Sequence, residues 1–387
     1  MCIIWWKASA GKVTVLNNVG MRLRFTLVIL VGLLVPGTRG KAQDSVRCGS
    51  WVSVNAHYGF IMPAYKSSTY YLLKGHCPGF EIDYLLKMPS ERQWVCTYHY
   101  PEIGYAFFFS GLGNPNELGN MYGIYPFVNF HLNRNCKERL YFRMGIGIGY
   151  LPITFDQQTN HKNEMIGAHI NAMVNMRLTY HFYLSDNMRI ETGLGATHCS
   201  DGSFKTPNLG INLLTLNTGL SYCFNNKKML PATFDMDTSF HKHYSNELFI
   251  GFGASETEPP GGCKYGAVTV TYDIYHVISR KSKLGLGTDM YYNGANIARM
   301  KPDVNLTPVQ NFQMGIKGSY ELCVGKFAMP LEQGFYLYNK SKFNGNNFEY
   351  NRIGVRYYAT KHLAASITLL THYASADYIE WGAGYRF

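Results

Sequence analysis

From residue 50 to its C-terminus the chain repeats one kind of unit: a stretch of about ten residues in which apolar side chains alternate with small or polar ones, closed by turn residues. Period two belongs to strands, because successive side chains leave a pleated backbone on opposite faces. Sixteen such stretches run over residues 51–62, 80–87, 100–110, 121–132, 140–152, 168–184, 188–197 and 212–224, then 248–254, 265–278, 284–292, 312–324, 327–338, 350–358, 363–372 and 378–387. Thirty Tyr, 23 Phe and 39 Gly among 387 residues suit pleated surfaces and disfavour long helices. The expected fold class is all-β.

With only 16% charged residues, this pattern is the weak per-segment signature of a transmembrane barrel. Beyond residue 42 no window comes near 18 uninterrupted apolar residues, so membrane helices are excluded. A membrane location then requires an antiparallel β-barrel, closed so that every backbone group is paired. The second, fourth and sixth connections read as short, the first, fifth and seventh as longer, and the third, around residues 113–119, as intermediate. A mature N-terminus in the periplasm puts the long ones outside the cell. Residues 225–245 (NNKKMLPATFDMDTSFHKHYS) break the pattern and read as a linker between domains 44–224 and 246–387. The pattern leaves open one barrel of sixteen strands or two of eight; the linker and the completeness of the first set favour two. THCSDGS near the end of the first set and THYASAD near the end of the second form a weak internal repeat.

The front end reads as an export signal. Residues 21–42 carry two arginines, a short apolar core from Phe25 to Val35, and the small residues Gly40 and Ala42 before a cut. Residues 1–20 lie upstream of this natural start. Six basic residues and no acidic one fall within residues 1–42, so the formal charge of +11 drops to +5 for the rest. That is too mild for a nucleic-acid partner and suits a phosphate-bearing surface. Eight cysteines follow the cut, none in a CxxC pair, which permits disulfides without fixing connectivity. Trp381, Tyr385 and the terminal Phe387 share one parity and resemble the C-terminal signature by which outer-membrane proteins are recognised by the barrel assembly machinery.

Parity in the seventh stretch sets the site. Arg189, Glu191, Gly193, Gly195 and Thr197 share the charged and small face, which must be interior; Ile190, Thr192, Leu194 and Ala196 look into lipid, and His198 and Ser200 continue that outward row. In the eighth stretch the even positions are the apolar set, so Asn212 projects outward near the same rim. Ser is a weak nucleophile unless a base takes its proton, and a His two residues away on the same face is placed to do so, with a third polar group to hold its tautomer. A site facing lipid meets a substrate that sits in the bilayer, which points to attack on an acyl ester of an outer-leaflet lipid.

Thr197 to Asn212 (THCSDGSFKTPNLGIN) resembles the motif of the outer-membrane lipid A 3-O-deacylase family, in which His-x-Ser precedes a Pro-Asn-x-Gly stretch and an acid on the outside of an eight-stranded barrel. The resemblance covers residues 44–224. It implies His198 as base, Ser200 as nucleophile and Asn212 in the acid's place, with lipid A of the outer leaflet as partner and no cofactor or metal. Two positions depart from the family. Asn212 can orient His198 but supplies no charge to the imidazolium. Asp201 stands where the family usually has Asn: ionised, it would repel an oxyanion, or it takes over the acid's role. The alternative to an esterase is a non-enzymatic outer-membrane barrel, porin-like or structural, with a decayed site.

Other candidates read as structure. His241 and His243 have no carboxylate or Cys at ligand spacing. Gly145, Gly147 and Gly149 alternate with apolar residues as small interior strand positions. His372, Ser375 and Glu380 would duplicate the site, but Leu363, Ala365, Ile367 and Leu369 form the lipid row and leave His372 facing inward, while Glu380 and Arg386 are expected to neutralise each other inside the barrel.

Overall fold

A computed structural model describes residues 46–63, 67–87, 92–132, 139–225, 227–229, 240–299, 307–341, 348–372 and 375–387. The export signal and most of the expected linker fall outside them. Eight antiparallel strands form the first barrel: β1 (Val46–Ile61), β2 (Cys77–Lys87), β3 (Glu102–Gly111), β4 (Asn120–His131), β5 (Leu140–Tyr150), β6 (Ile170–Tyr183), β7 (Met188–Ser200) and β8 (Ile211–Cys223). Each pairs with the next, and β8 returns to β1 from Trp51↔Cys223 to Ile61↔Leu213, which closes the cylinder. A short β9 (Lys227–Met229) adds to the start of β1.

The second barrel closes in the same way from β10 (His243–Glu256), β11 (Lys264–Ser279), β12 (Ser282–Asn293), β13 (Phe312–Val324), β14 (Phe327–Tyr338), β15 (Glu349–Tyr358), β16 (Leu363–His372) and β17 (Ser375–Arg386). Sixteen strands therefore form two barrels of eight. β10 starts at His243, five residues earlier than its apolar run, so the ladder extends into the polar stretch read as linker.

Both barrels are apolar outside and polar inside. On β7 Arg189, Glu191 and Thr197 are buried while Ile190 and Leu194 are exposed; on β8 Thr215, Asn217 and Ser221 are buried while Leu216, Leu220 and Tyr222 are exposed. Eight strands leave an interior just wide enough for side chains. Ion pairs fill it: Arg143 and Arg177 both clasp Glu81 (2.7 and 2.6 Å) and Asp83 (2.9 and 3.2 Å), and Arg189 joins Glu102 to Glu191. In the second barrel Lys317 meets Asp273, Asp289 and Glu332, and Arg356 joins Glu321 to Glu332.

Two expectations need correction. Glu380 and Arg386 do not pair: Arg352 donates to Glu380, and Arg386 Nε donates to Glu247 Oε1 at 3.0 Å. Shared parity does not give them a shared height, and each finds a nearer partner across the lumen. The second connection is not short, because it folds into a helical turn, Gln93–Thr97, followed by left-handed His99 and Tyr100. Cys77, Cys199, Cys223, Cys263 and Cys323 are free thiols.

The first, third, fifth and seventh connections gather at one end of the first barrel. Lys74 pairs with Glu117, Asn163 Nδ2 donates to the Glu117 carbonyl, and Gly210 N donates to the Met165 carbonyl. Leu72, Leu112, Leu118, Leu151, Met165 and Ile166 pack beneath them as an apolar cap. The two barrels touch at this end, where Ser203 Oγ donates to the Ala376 carbonyl at 2.9 Å, and at the other, where Tyr98 donates to the Cys323 carbonyl at 2.7 Å.

Candidate active site

The last turn of β7 and the first residue pairs of β8 carry the expected residues. His198 and Ser200 stand on outward-facing positions and are half-buried, because the seventh connection, residues 201–210, folds back beside them. His198 and Asn212 are directly paired across the two strands, and His198 Nδ1 lies 2.8 Å from Asn212 Oδ1. An amide oxygen accepts only, so Nδ1 carries the hydrogen and Nε2 is left as the basic nitrogen.

Ser200 Oγ receives two donors from the connection: Asn208 Nδ2 at 2.9 Å and the Gly202 N–H at 3.2 Å. His198 and Ser200 are not hydrogen-bonded to each other, but both close on Gly210. A Cβ there would stand 3.0 Å from His198 Cε1 and 3.4 Å from Ser200 Cβ, and its φ of +74° already favours glycine. Such a pair is often long before substrate binds.

Asp201 belongs to the connection's own fold. It is buried, and its Oδ2 accepts the Lys205 N–H at 3.1 Å. Burial pushes its carboxyl up to about 7; the N–H groups of Lys205, Ser203 and Phe204 oppose the rise, and the nearby Glu256 carboxylate adds to it. Neither His198 nor Ser200 is among its hydrogen-bond partners, whereas Asn212 holds the imidazole. Sequence reasoning placed His198, Ser200 and Asn212 together and missed the part of Asn208 and Gly202. The Pro-Asn-x-Gly motif contained Asn208, yet only the folded connection shows that its amide reaches Ser200.

The supposed duplicate does not assemble. His372 occupies the matching place at the end of the seventh strand of its barrel, but it is buried, with Nε2 2.9 Å from the Tyr336 hydroxyl, and Glu380 is engaged by Arg352. Burial alternates without a break along β16 from Leu363 to His372, so His372 keeps the inward parity expected of it, and the register shift after Leu370 falls on β17, where pairing passes from Tyr378 to Ala376. His243 Nδ1 meets the His241 carbonyl, and among the described residues no group of three or more potential metal ligands gathers.

Chemically, the arrangement offers a hydroxyl, an imidazole with a fixed tautomer and two N–H donors beside the hydroxyl, all on an apolar outer wall. That is the equipment for acyl transfer. No curated protein matches the chain. Among solved structures it is similar to the Yersinia pestis outer membrane protein Ail, at 12% identity and a TM-score of 0.25 over 44% of this chain and 99% of that one. It is also similar to the Acinetobacter baumannii outer membrane protein Omp33, at 8% identity and a TM-score of 0.16 over 89% and 99%. Residues 242–387 match the acyloxyacyl hydrolase C-terminal domain, and residues 79–221, which include the site, match lipid A 3-O-deacylase (PagL). The two matches fall on the two barrels in order, residues 79–221 taking in β2 to β8 and residues 242–387 β10 to β17, and the chain belongs to the lipid A 3-O-deacylase family.

Proposed function

We propose that the protein is an outer-membrane esterase that removes the 3-O-linked acyl chain of lipid A at the rim of its first barrel. The observation that carries this reading is the convergence on Ser200 Oγ of two N–H donors, beside a His198 whose Nδ1–H is held by Asn212. Ser200 Oγ attacks the ester carbonyl while His198 Nε2 takes its proton. The negative charge that develops on the carbonyl oxygen, two bonds from Oγ through the carbonyl carbon, falls within reach of Gly202 N–H and Asn208 Nδ2. Collapse breaks the ester C–O bond, and His198 returns the proton to the departing sugar hydroxyl. Water, activated by the same imidazole, releases the fatty acid from Ser200.

Exposed apolar side chains surround the site, so the substrate that fits is an amphiphile in the membrane, with its ester level with the rim. The exported chain would sit in the outer membrane with residues 201–210 outward, facing lipopolysaccharide. A porin-like role is not favoured, because buried ion pairs cross both lumens.

The test is mass spectrometry of lipid A from cells carrying the protein, with heat-modifiable migration as the check on folding. Ser200→Ala and His198→Ala are each expected to abolish loss of the 3-O-linked chain while the barrel still folds. Deacylation that persists in Ser200→Ala would remove the site from this rim.

A further inference from the structure

The N–H of Gly202 reaches Ser200 Oγ because the chain turns sharply after Asp201. Gly202 and Ser203 are both left-handed, at φ +65° and +66°. For glycine this is free, but an L side chain adopts it only when its surroundings hold it there. What holds this turn from outside the connection is the second barrel. Ser203 Oγ donates to the Ala376 carbonyl at 2.9 Å, and the Ser203 carbonyl accepts the Glu256 N–H at 3.1 Å. Thr206 Oγ1 donates to Glu256 Oε1 at 3.2 Å, and that oxygen is fixed in turn by the Gly261 N–H at 2.6 Å.

Ile379 completes the grip. It lies on the outward parity of β17, a position that would face the membrane in a solitary barrel. Here it packs so closely on Gly202 that a Cβ there would clash with Ile379 Cγ1. Ala376 lies within the THYASAD segment, residues 371–377, and Ile379 two residues beyond it; that segment is the counterpart of the site's corner in the internal repeat. Among the described residues the second barrel assembles no site of its own at that corner and applies the corner to its neighbour.

We infer that the second barrel is a built-in positioning partner for the deacylase site: Ile379, with the Ala376 carbonyl and the Glu256 N–H, holds Gly202 and Ser203 in the left-handed turn that aims the Gly202 N–H at the reacting oxygen. These are positioning residues, since none touches Ser200 or His198. The inference rests on the deacylase reading above.

Ile379→Ala and Ser203→Ala in the full chain, assayed on lipid A vesicles, should each lower kcat about tenfold, short of the 10²–10³-fold typical of removing an oxyanion donor outright. KM should stay within about twofold, as expected for an interaction made in the transition state. Hydrogen exchange across residues 201–206 should speed up in both. Ser203→Gly, which lacks the hydroxyl but accepts the left-handed turn without strain, should lose less than Ser203→Ala. Unchanged kcat in both alanine variants, in a protein that Ser200→Ala inactivates, would overturn the inference and leave the deacylase reading standing. A raised KM with intact kcat would also overturn it, by assigning the contact to substrate binding. A wild-type protein without deacylase activity would overturn the deacylase reading and this inference together.

Discussion

Asn212 Oδ1 accepts the Nδ1–H of His198 at 2.8 Å, across directly paired positions of β7 and β8, so the imidazole is oriented by a neutral group. A neutral partner fixes the tautomer but, in the proposed attack, would leave the imidazolium without a counter-charge. Asn212→Ala should lower kcat by about 10- to 100-fold, since an unfixed base loses much of the 10²–10⁴ that general base catalysis supplies. Asn212→Asp, which keeps the acceptor and adds the charge, should equal or exceed the wild type. Steady-state release of fatty acid from lipid A vesicles reads both, and a strongly impaired Asn212→Asp would show that charge at this position is harmful.

Asn208 Nδ2 is the side-chain donor on Ser200 Oγ. Asn208→Ala should cost on the order of 3 kcal/mol of transition-state stabilisation, a rate loss of about 10²-fold, expressed in kcat and not in KM. Retention of full kcat would leave the Gly202 N–H as the sole donor of consequence.

Asp201 gives the site's connection a pH dependence with a definite sign. Its carboxyl is raised from 3.8 in the unfolded chain to about 7 in the folded one. The native state therefore binds the proton more tightly, and this contribution to stability is complete below the unfolded value and lost as pH rises through the folded one. Protection of residues 201–206 from hydrogen exchange should fall as pH is raised from about 4 to about 8, after correction for the intrinsic pH dependence of exchange. Asp201→Asn, neutral throughout and still an acceptor for the Lys205 N–H, should flatten that trend. A loss of kcat in Asp201→Asn at every pH would instead give Asp201 the acid's role.

Arg177 lies in the lumen between Glu81 and Asp83, at 2.6 and 3.2 Å. Arg177→Met leaves Arg143 as the main counter-charge for two buried carboxylates, and breaking a buried network in this way typically costs about 3–5 kcal/mol. Urea unfolding of the refolded protein in lipid, followed by tryptophan fluorescence, should show a midpoint well below that of the wild type. An unchanged midpoint would mean that Arg143 alone balances the pair.

The strands were legible in the sequence because a barrel wall writes its two environments into alternate residues, and the 312–324 and 327–338 stretches coincide with β13 and β14. Where the wall is polar on both faces the signal fades. β10 therefore starts at His243, although its apolar run begins at Leu248. The site was legible as far as parity reaches: His198 and Asn212 are placed by the pleat, and the pleat brings them together. Gly202 and Asn208 act through a connection whose path depends on long-range contacts, with Met165 on one side and Ala376 on the other. Local pattern carries no trace of such contacts. The expected pairing of Glu380 with Arg386 failed for a related reason, since periodicity gives the face of a residue but not which charges stand opposite across the lumen.

The contact between Ser203 and Ala376 joins two halves of a single polypeptide, separated in sequence by one short stretch between β8 and β10. Had the gripping surface belonged to another molecule, the aligned turn would exist only in proportion to how often two barrels met in a crowded membrane. Covalent linkage replaces that encounter with an effective local concentration in the millimolar range for a short tether. The fraction of molecules with an ordered connection is thereby made independent of copy number, so the first molecule inserted is as well ordered as the thousandth.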